Sequence, residues 1–190
     1  MLKKIAVLSL VLTAAFSLLM LAGRKATFVV ETSGEVGRPL PVVWQTLTAV
    51  ENWPKWWPGM KRAALPAGWR KGAALELVLA GNPDRRPARV VSVIRGGELS
   101  WTRPGVLASD TRTILRREAH GGGSKVSVAS CIVGPQAFLA RITGRDAFAR
   151  YHRSILLHLK NFLEKFVPGR AVEPLSQNPI SRPEPVNGSW

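Results

Sequence analysis

The chain reads as an α+β domain: a curved antiparallel sheet of about seven strands, with two short helices after the first strand, wrapped around one long C-terminal helix. Two patterns lead there. Between Pro135 and Phe166 the apolar residues Phe138, Ile142, Ala149, Leu156, Leu159, Leu163 and Phe166 fall on one stripe, with Arg145 and His152 at the missing steps. Phe148, Ile155 and Phe162 widen the stripe, and Arg141, Arg150, Arg153, Lys160 and Lys165 take the opposite side. Ahead of this helix lies a series of short strand-like segments separated by turns, which supplies the extended apolar surface that a helix of this kind must cover.

From the N-terminus, Lys3 and Lys4 precede 19 uncharged residues, Ile5 to Gly23, and Arg24 and Lys25 close the run. As a helix this run spans ~28 Å, close to a bilayer's hydrocarbon thickness. The expectation is a single-pass N-terminal membrane anchor over residues 1–25, with the domain on the extracytoplasmic side. The alternative is a signal segment, but Leu-Ala-Gly-Arg-Lys makes a poor cleavage site.

Residues 26–37 read as the first strand. Arg38-Pro39-Leu40-Pro41 opens a helix, with proline suited to its first turn, and a second short helix or turn follows at Val50 to Trp53. Four of the seven tryptophans lie between Trp44 and Trp57, where prolines forbid a continuous helix. This stretch is either an aromatic rim around a cavity, a membrane-touching loop, or a plug filling one end of the core.

Strand periodicity then takes over. Arg62 to Leu65 is a short strand. Ala73 to Leu79 places Leu75, Leu77 and Leu79 on one face and Glu76 on the other. Gly81 to Asp84 is a turn. Pro87 to Ile94 and Glu98 to Arg103 are strands joined at Gly96-Gly97, and Pro104-Gly105 ends the second. Ser109 to Glu118 and Lys125 to Val133 pair across Gly121-Gly122-Gly123. Turns this short imply an antiparallel meander. The glycine triplet joins two strands and lacks the Lys-Ser/Thr of a phosphate loop. Gly134-Pro135 starts the long helix, Gly144 is a candidate kink, and Pro168-Gly169 ends it. Residues 167–190, with five prolines, read as a disordered tail. Asn187-Gly188-Ser189 within it fits a glycosylation acceptor.

The net charge of +15 raises nucleic acid and acidic lipid as partners. The charge is spread as single arginines, which argues against nucleic acid. The lone Cys131 sits in an apolar strand and has no intramolecular disulfide partner.

The order of elements, together with Pro41-Val42-Val43-Trp44 and Glu51-Asn52-Trp53-Pro54-Lys55-Trp56-Trp57-Pro58, resembles the SRPBCC superfamily, whose START-like, helix-grip fold includes polyketide cyclase/dehydrase-like proteins. Gly72, Arg89-Val90, Leu99-x-Trp101, Gly123-Ser124-Lys125-Val126 and the run from Tyr151-His152 to Leu163-Glu164 continue the likeness across residues 26–166. The resemblance implies a cavity between sheet and helix that holds an apolar small molecule or lipid. The expected function is a membrane-anchored domain that binds or carries such a ligand. The alternatives are a cyclase/dehydratase-like enzyme, or a basic scaffold module binding acidic lipid or a partner.

The pocket expected between sheet and helix draws on Trp53, Trp56, Leu77, Leu79, Trp101, Arg103, Phe138, Ile142, Phe148, His152, Ile155 and Leu159. Arg103 points into it, to pair with a ligand carboxylate or enolate, or outward onto a wet face; alternation does not decide between them. His152 is a pocket-wall residue or a general base. His120 and His158 read as solvated. No second His or Cys stands at ligand spacing, so no metal and no cofactor is expected, and no nucleophile signature is present.

Overall fold

The computed structural model of the chain describes residues 2–81, 87–105 and 109–166. An N-terminal helix α1 (Leu2–Gly23) leads into β1 (Thr27–Val36), α2 (Leu40–Thr48), a single 3₁₀ turn (Val50–Asn52) and α3 (Trp53–Trp56). Six strands follow: β2 (Met60–Ala64), β3 (Ala74–Leu79), β4 (Ala88–Ile94), β5 (Glu98–Pro104), β6 (Asp110–His120) and β7 (Gly123–Val133). Two helices, α4 (Pro135–Thr143) and α5 (Arg145–Phe166), complete the order.

The strands form one antiparallel sheet in the order β1-β7-β6-β5-β4-β3-β2. Consecutive strands from β2 to β7 are neighbours because their connections are short. At the β6–β7 hairpin Gly121 and Gly122 both take positive φ (50° and 84°), the region a tight hairpin turn demands and side chains resist. β1 alone leaves sequence order, pairing with β7 from Thr27↔Val133 to Val36↔Ser124. The turn Asn82 to Asp84 and the tail from residue 167 lie outside the described residues.

α5 packs along β1 and β7 and buries Ile155, Leu156, Leu159 and Leu163 against the sheet. The helix expected from Pro135 to Phe166 is two helices. Gly144 donates to the Ala140 carbonyl and ends α4, and a Cβ there would stand 2.8 Å from that same oxygen. The break changes the helical phase. In α4 it is Ala137 and Ala140 that are buried, while Phe138 is 41% exposed. The Ile142 and Phe166 side chains lie outside the described residues.

The tryptophans after β1 act as a plug. Trp53 and Trp56 are at most 2% exposed. Trp53 stands 5.2 Å from Trp57 and 5.1 Å from Trp101, ring centre to ring centre. The buried Trp53 indole N–H donates to the Leu47 carbonyl and that of the half-buried Trp69 to the Thr48 carbonyl, which satisfies those two polar edges, whereas Trp56 Nε1 is buried without a partner.

The N-terminal segment corrects an expectation. Among the described residues no helix is long and apolar enough to cross a membrane. The single-pass anchor, the membrane localisation and the membrane contact through residues 5–23 therefore do not stand. Lys3 and Lys4 occupy the first turn of α1. At the other end, Gly23 is buried against Pro135 of α4.

Candidate functional site

Sheet register builds the floor of a cavity. On the concave face Leu99, Leu115 and Val128 stand side by side across β5, β6 and β7, all at most 1% exposed. The next row is Trp101, Thr113 and Ser130, and the one after it Arg103, Thr111 and Ile132. Moving along the sheet, the inner surface thus passes from wholly apolar to hydroxyl-bearing and then to a cation.

Over the second and third rows lies a cavity of about 320 Å³, within the range of small-molecule sites. Trp57, Met60, Leu77 and Leu79 line one side, Phe148 and Tyr151 from the first turns of α5 roof it, and Pro104, Gly105 and Gln136 close the far end. Trp101, Thr111, Thr113, Ser130 and Arg103 complete the wall. Among the described residues no lining residue is acidic, and Arg103 is the one charged lining group. Arg103 is thus an inward-facing residue. The outward charges form a separate set. Arg116 reaches Glu98 at 2.9 Å and Glu31 at 3.9 Å, and Arg112 donates to Ser100 Oγ at 3.0 Å.

Three polar arrangements surround the cavity. The Trp57 indole N–H donates to Tyr151 Oη at 2.8 Å, tying the Trp plug to α5. Burial raises the Tyr151 phenol above its ordinary value of 10, although the Trp57 contact works the other way. Ser130 Oγ shares a 2.9 Å hydrogen bond with His152 Nε2. His152 is 1% exposed and its Nδ1 has no partner. Burial with no compensating anion lowers its pKa to about 4, so the imidazole is neutral at pH 7. Lastly, Gln136 donates its backbone N–H to Ser109 Oγ at 2.9 Å, but its side-chain Oε1 is buried without a partner.

Of the residues the sequence singled out, Leu77, Leu79, Trp101, Arg103 and Phe148 line the cavity. Trp53, Trp56, Ile155 and Leu159 are buried in the core beside it. His152 meets the cavity through Ser130. Phe138 lies exposed on α4. His120 is exposed and contacts Glu35 at 3.1 Å, and His158 on the helix surface stands 2.8 Å from the Ser154 carbonyl. Cys131 is half-buried and free. Among the described residues no cluster of His, Cys, Asp and Glu could hold a metal ion.

Sequence reasoning missed Trp57, Met60, Pro104, Gly105, Thr111, Thr113, Ser130, Gln136 and Tyr151. Part of the signal was present. Thr111 and Thr113 alternate in step with Leu115, and Ser130 with Val128. Only the register, which sets these rows beside Trp101 and Arg103, turns the alternation into a site.

No protein-family model matches the chain, and no curated protein matches it in sequence. Solved structures do. A protein from Rhodobacter sphaeroides aligns at TM-score 0.58 and 20% identity over 72% of this chain and 91% of that one. Protein NE0264 from Nitrosomonas europaea aligns at 0.56 and 19%, over 72% and 94%. StfQ, the di-domain ARO/CYC of the steffimycin biosynthetic pathway, aligns at 0.58 and 13% over 74% of this chain, which spans 52% of that protein. At these identities the likeness establishes the fold.

Proposed function

We propose, from the helix-grip fold of the SRPBCC superfamily that this chain has, that it binds and carries an apolar small molecule or lipid in the cavity between sheet and α5. The observation that carries this reading is the cavity itself. It is about 320 Å³, mostly apolar, and roofed by Phe148 and Tyr151 where α5 could instead have packed down onto the sheet. The lower half of α5, with Ile155, Leu159 and Leu163, does pack down into the core.

An enzyme of cyclase or dehydratase type draws support from the convergence of Ser130, Thr113, Thr111, Gln136 and Tyr151 on one volume. Proton transfer at neutral pH needs a group that titrates near 7. Tyr151 lies above that range, His152 below it, and among the described residues no carboxylate lines the wall. Carriage is therefore the better-supported reading.

The test is native mass spectrometry and solvent extraction of the purified chain, followed by titration of the stripped protein with 1-anilinonaphthalene-8-sulfonate. The expected result is a co-purifying apolar molecule, or probe uptake that Thr113→Trp abolishes by filling the cavity. No retained molecule together with uptake indifferent to Thr113→Trp would remove the reading.

A further inference from the structure

Cross-strand register gathers a cation and a hydroxyl on one part of the cavity wall. Arg103 of β5 stands directly opposite Thr111 of β6, and both line the cavity. Directly opposed residues of an antiparallel pair have their Cβ atoms about 5 Å apart. The threonine hydroxyl sits one bond beyond its Cβ, and a guanidinium on its longer stem can turn to the same point, so one ligand group can touch both. Thr113, two residues along β6 on the same face, stands opposite Trp101 on one side and Ser130 on the other, and continues the hydroxyl strip. The rest of the wall is largely apolar, with Trp57, Met60, Leu77, Leu79, Trp101 and Phe148.

The charge at this strip has one sign. Among the described residues no carboxylate lines the cavity, while Glu98 and Glu31 are engaged with Arg112 and Arg116 on the opposite face of the sheet. An uncharged apolar ligand draws nothing from the Arg103 cation, and a cationic one is repelled by it. Among anions, a carboxylate offers two coplanar oxygens that match the guanidinium fork, and the Thr111 hydroxyl can donate to a remaining lone pair. An enolate presents the fork with a single oxygen. A phosphate monoester brings about 1.5 to 2 negative charges, more than one guanidinium balances. Arg103 is half-buried, so a carboxylate paired with it avoids the full desolvation penalty of a buried ion pair. Resting on the cavity reading above, we infer that the ligand is an apolar molecule bearing one carboxylate, held by Arg103 and Thr111.

The test uses the full chain at neutral pH and three probes, 2-naphthoate, the isosteric neutral 2-naphthamide and 2-naphthyl phosphate, measured by calorimetry. The wild type is expected to bind 2-naphthoate about tenfold or more tightly than 2-naphthamide, and 2-naphthyl phosphate no more tightly than 2-naphthoate. Arg103→Met, or Arg103→Gln should the methionine variant not fold, is expected to bring naphthoate and naphthamide within about threefold by weakening naphthoate alone. Thr111→Val is expected to weaken naphthoate about threefold. Lys165→Gln removes the same charge from an exposed position on α5 and is expected to leave naphthoate within about twofold, which separates the site from the general attraction of a chain of net charge +15. Equal binding of naphthoate and naphthamide by the wild type, a preference that survives loss of Arg103, or an equal loss in Lys165→Gln overturns the carboxylate inference and leaves carriage standing. Tighter binding of the phosphate overturns the assignment of a single charge. Failure of all three probes to bind overturns the cavity reading and the inference with it.

Discussion

Ser130 of β7 and His152 of α5 meet at 2.9 Å through Oγ and Nε2, in a seam where both residues are at most 6% exposed. This contact joins the cavity floor to the helix that roofs it, and it does so with a titratable ring.

His152 makes stability depend on pH in a defined window. Its folded pKa of about 4 lies below the ordinary 6.5, so between these values the unfolded chain binds the proton and the folded chain does not. The contribution is complete above about pH 6.5 and declines as pH falls toward 4. Its ceiling is about 3 kcal/mol at ~1.4 kcal/mol per pH unit. Urea denaturation at pH 7 and pH 5 should show the wild type losing more stability than His152→Gln. An identical loss in both proteins would refute the assignment.

Tyr151 is the chain's single tyrosine, so phenolate absorbance reports it without interference. Its midpoint should lie above 10 in the folded protein, because burial disfavours the anion. Trp57→Phe removes the N–H that favours the phenolate and should move the midpoint higher still. A downward move would show that the two side chains do not meet. For the raised phenol, stability is present below pH 10 and falls as pH rises through the folded value.

Leu163 is wholly buried and Leu157, about one and two-thirds turns earlier on α5, is 56% exposed. Leu163→Ala should cost about 2–5 kcal/mol, and Leu157→Ala should stay within about 0.5 kcal/mol. Chemical denaturation of the two variants checks the helix phase. Comparable losses would mean that α5 is rotated from the face described.

Gly144 separates α4 from α5. Its φ of −107° is open to any residue, so the constraint is space: a Cβ would sit 2.8 Å from the Ala140 carbonyl oxygen, a backbone atom. Gly144→Ala should therefore destabilise by about 1–3 kcal/mol, despite alanine's higher helix propensity. A thermal midpoint at or above the wild type's would show that the junction can close into one helix.

The elements were legible because their signals are local. Leu75, Leu77 and Leu79 alternate with Glu76, and the structure buries Leu75 and Leu77 and exposes Glu76. Ile155, Leu159 and Leu163 recur at a helical period and are all buried. The stripe failed ahead of Gly144, where Phe138 was assigned to the core and Ala137 and Ala140 occupy it. A period carries no phase information across a residue that ends a helix. The anchor reading failed because a count of uncharged residues measures a stretch of sequence, and no helix among the described residues meets the length and apolarity a crossing requires.

From its sequence alone this chain was determined to be an antiparallel sheet closed over a C-terminal helix, since residue periods and turn residues act between near neighbours. Which way Arg103 faces, that Thr113 and Ser130 share a row with Trp101, and that Gln136 ends at the same cavity were decided by the tertiary structure. Those placements depend on strand register and on where α4 stops. Both are set by contacts between residues far apart in the chain.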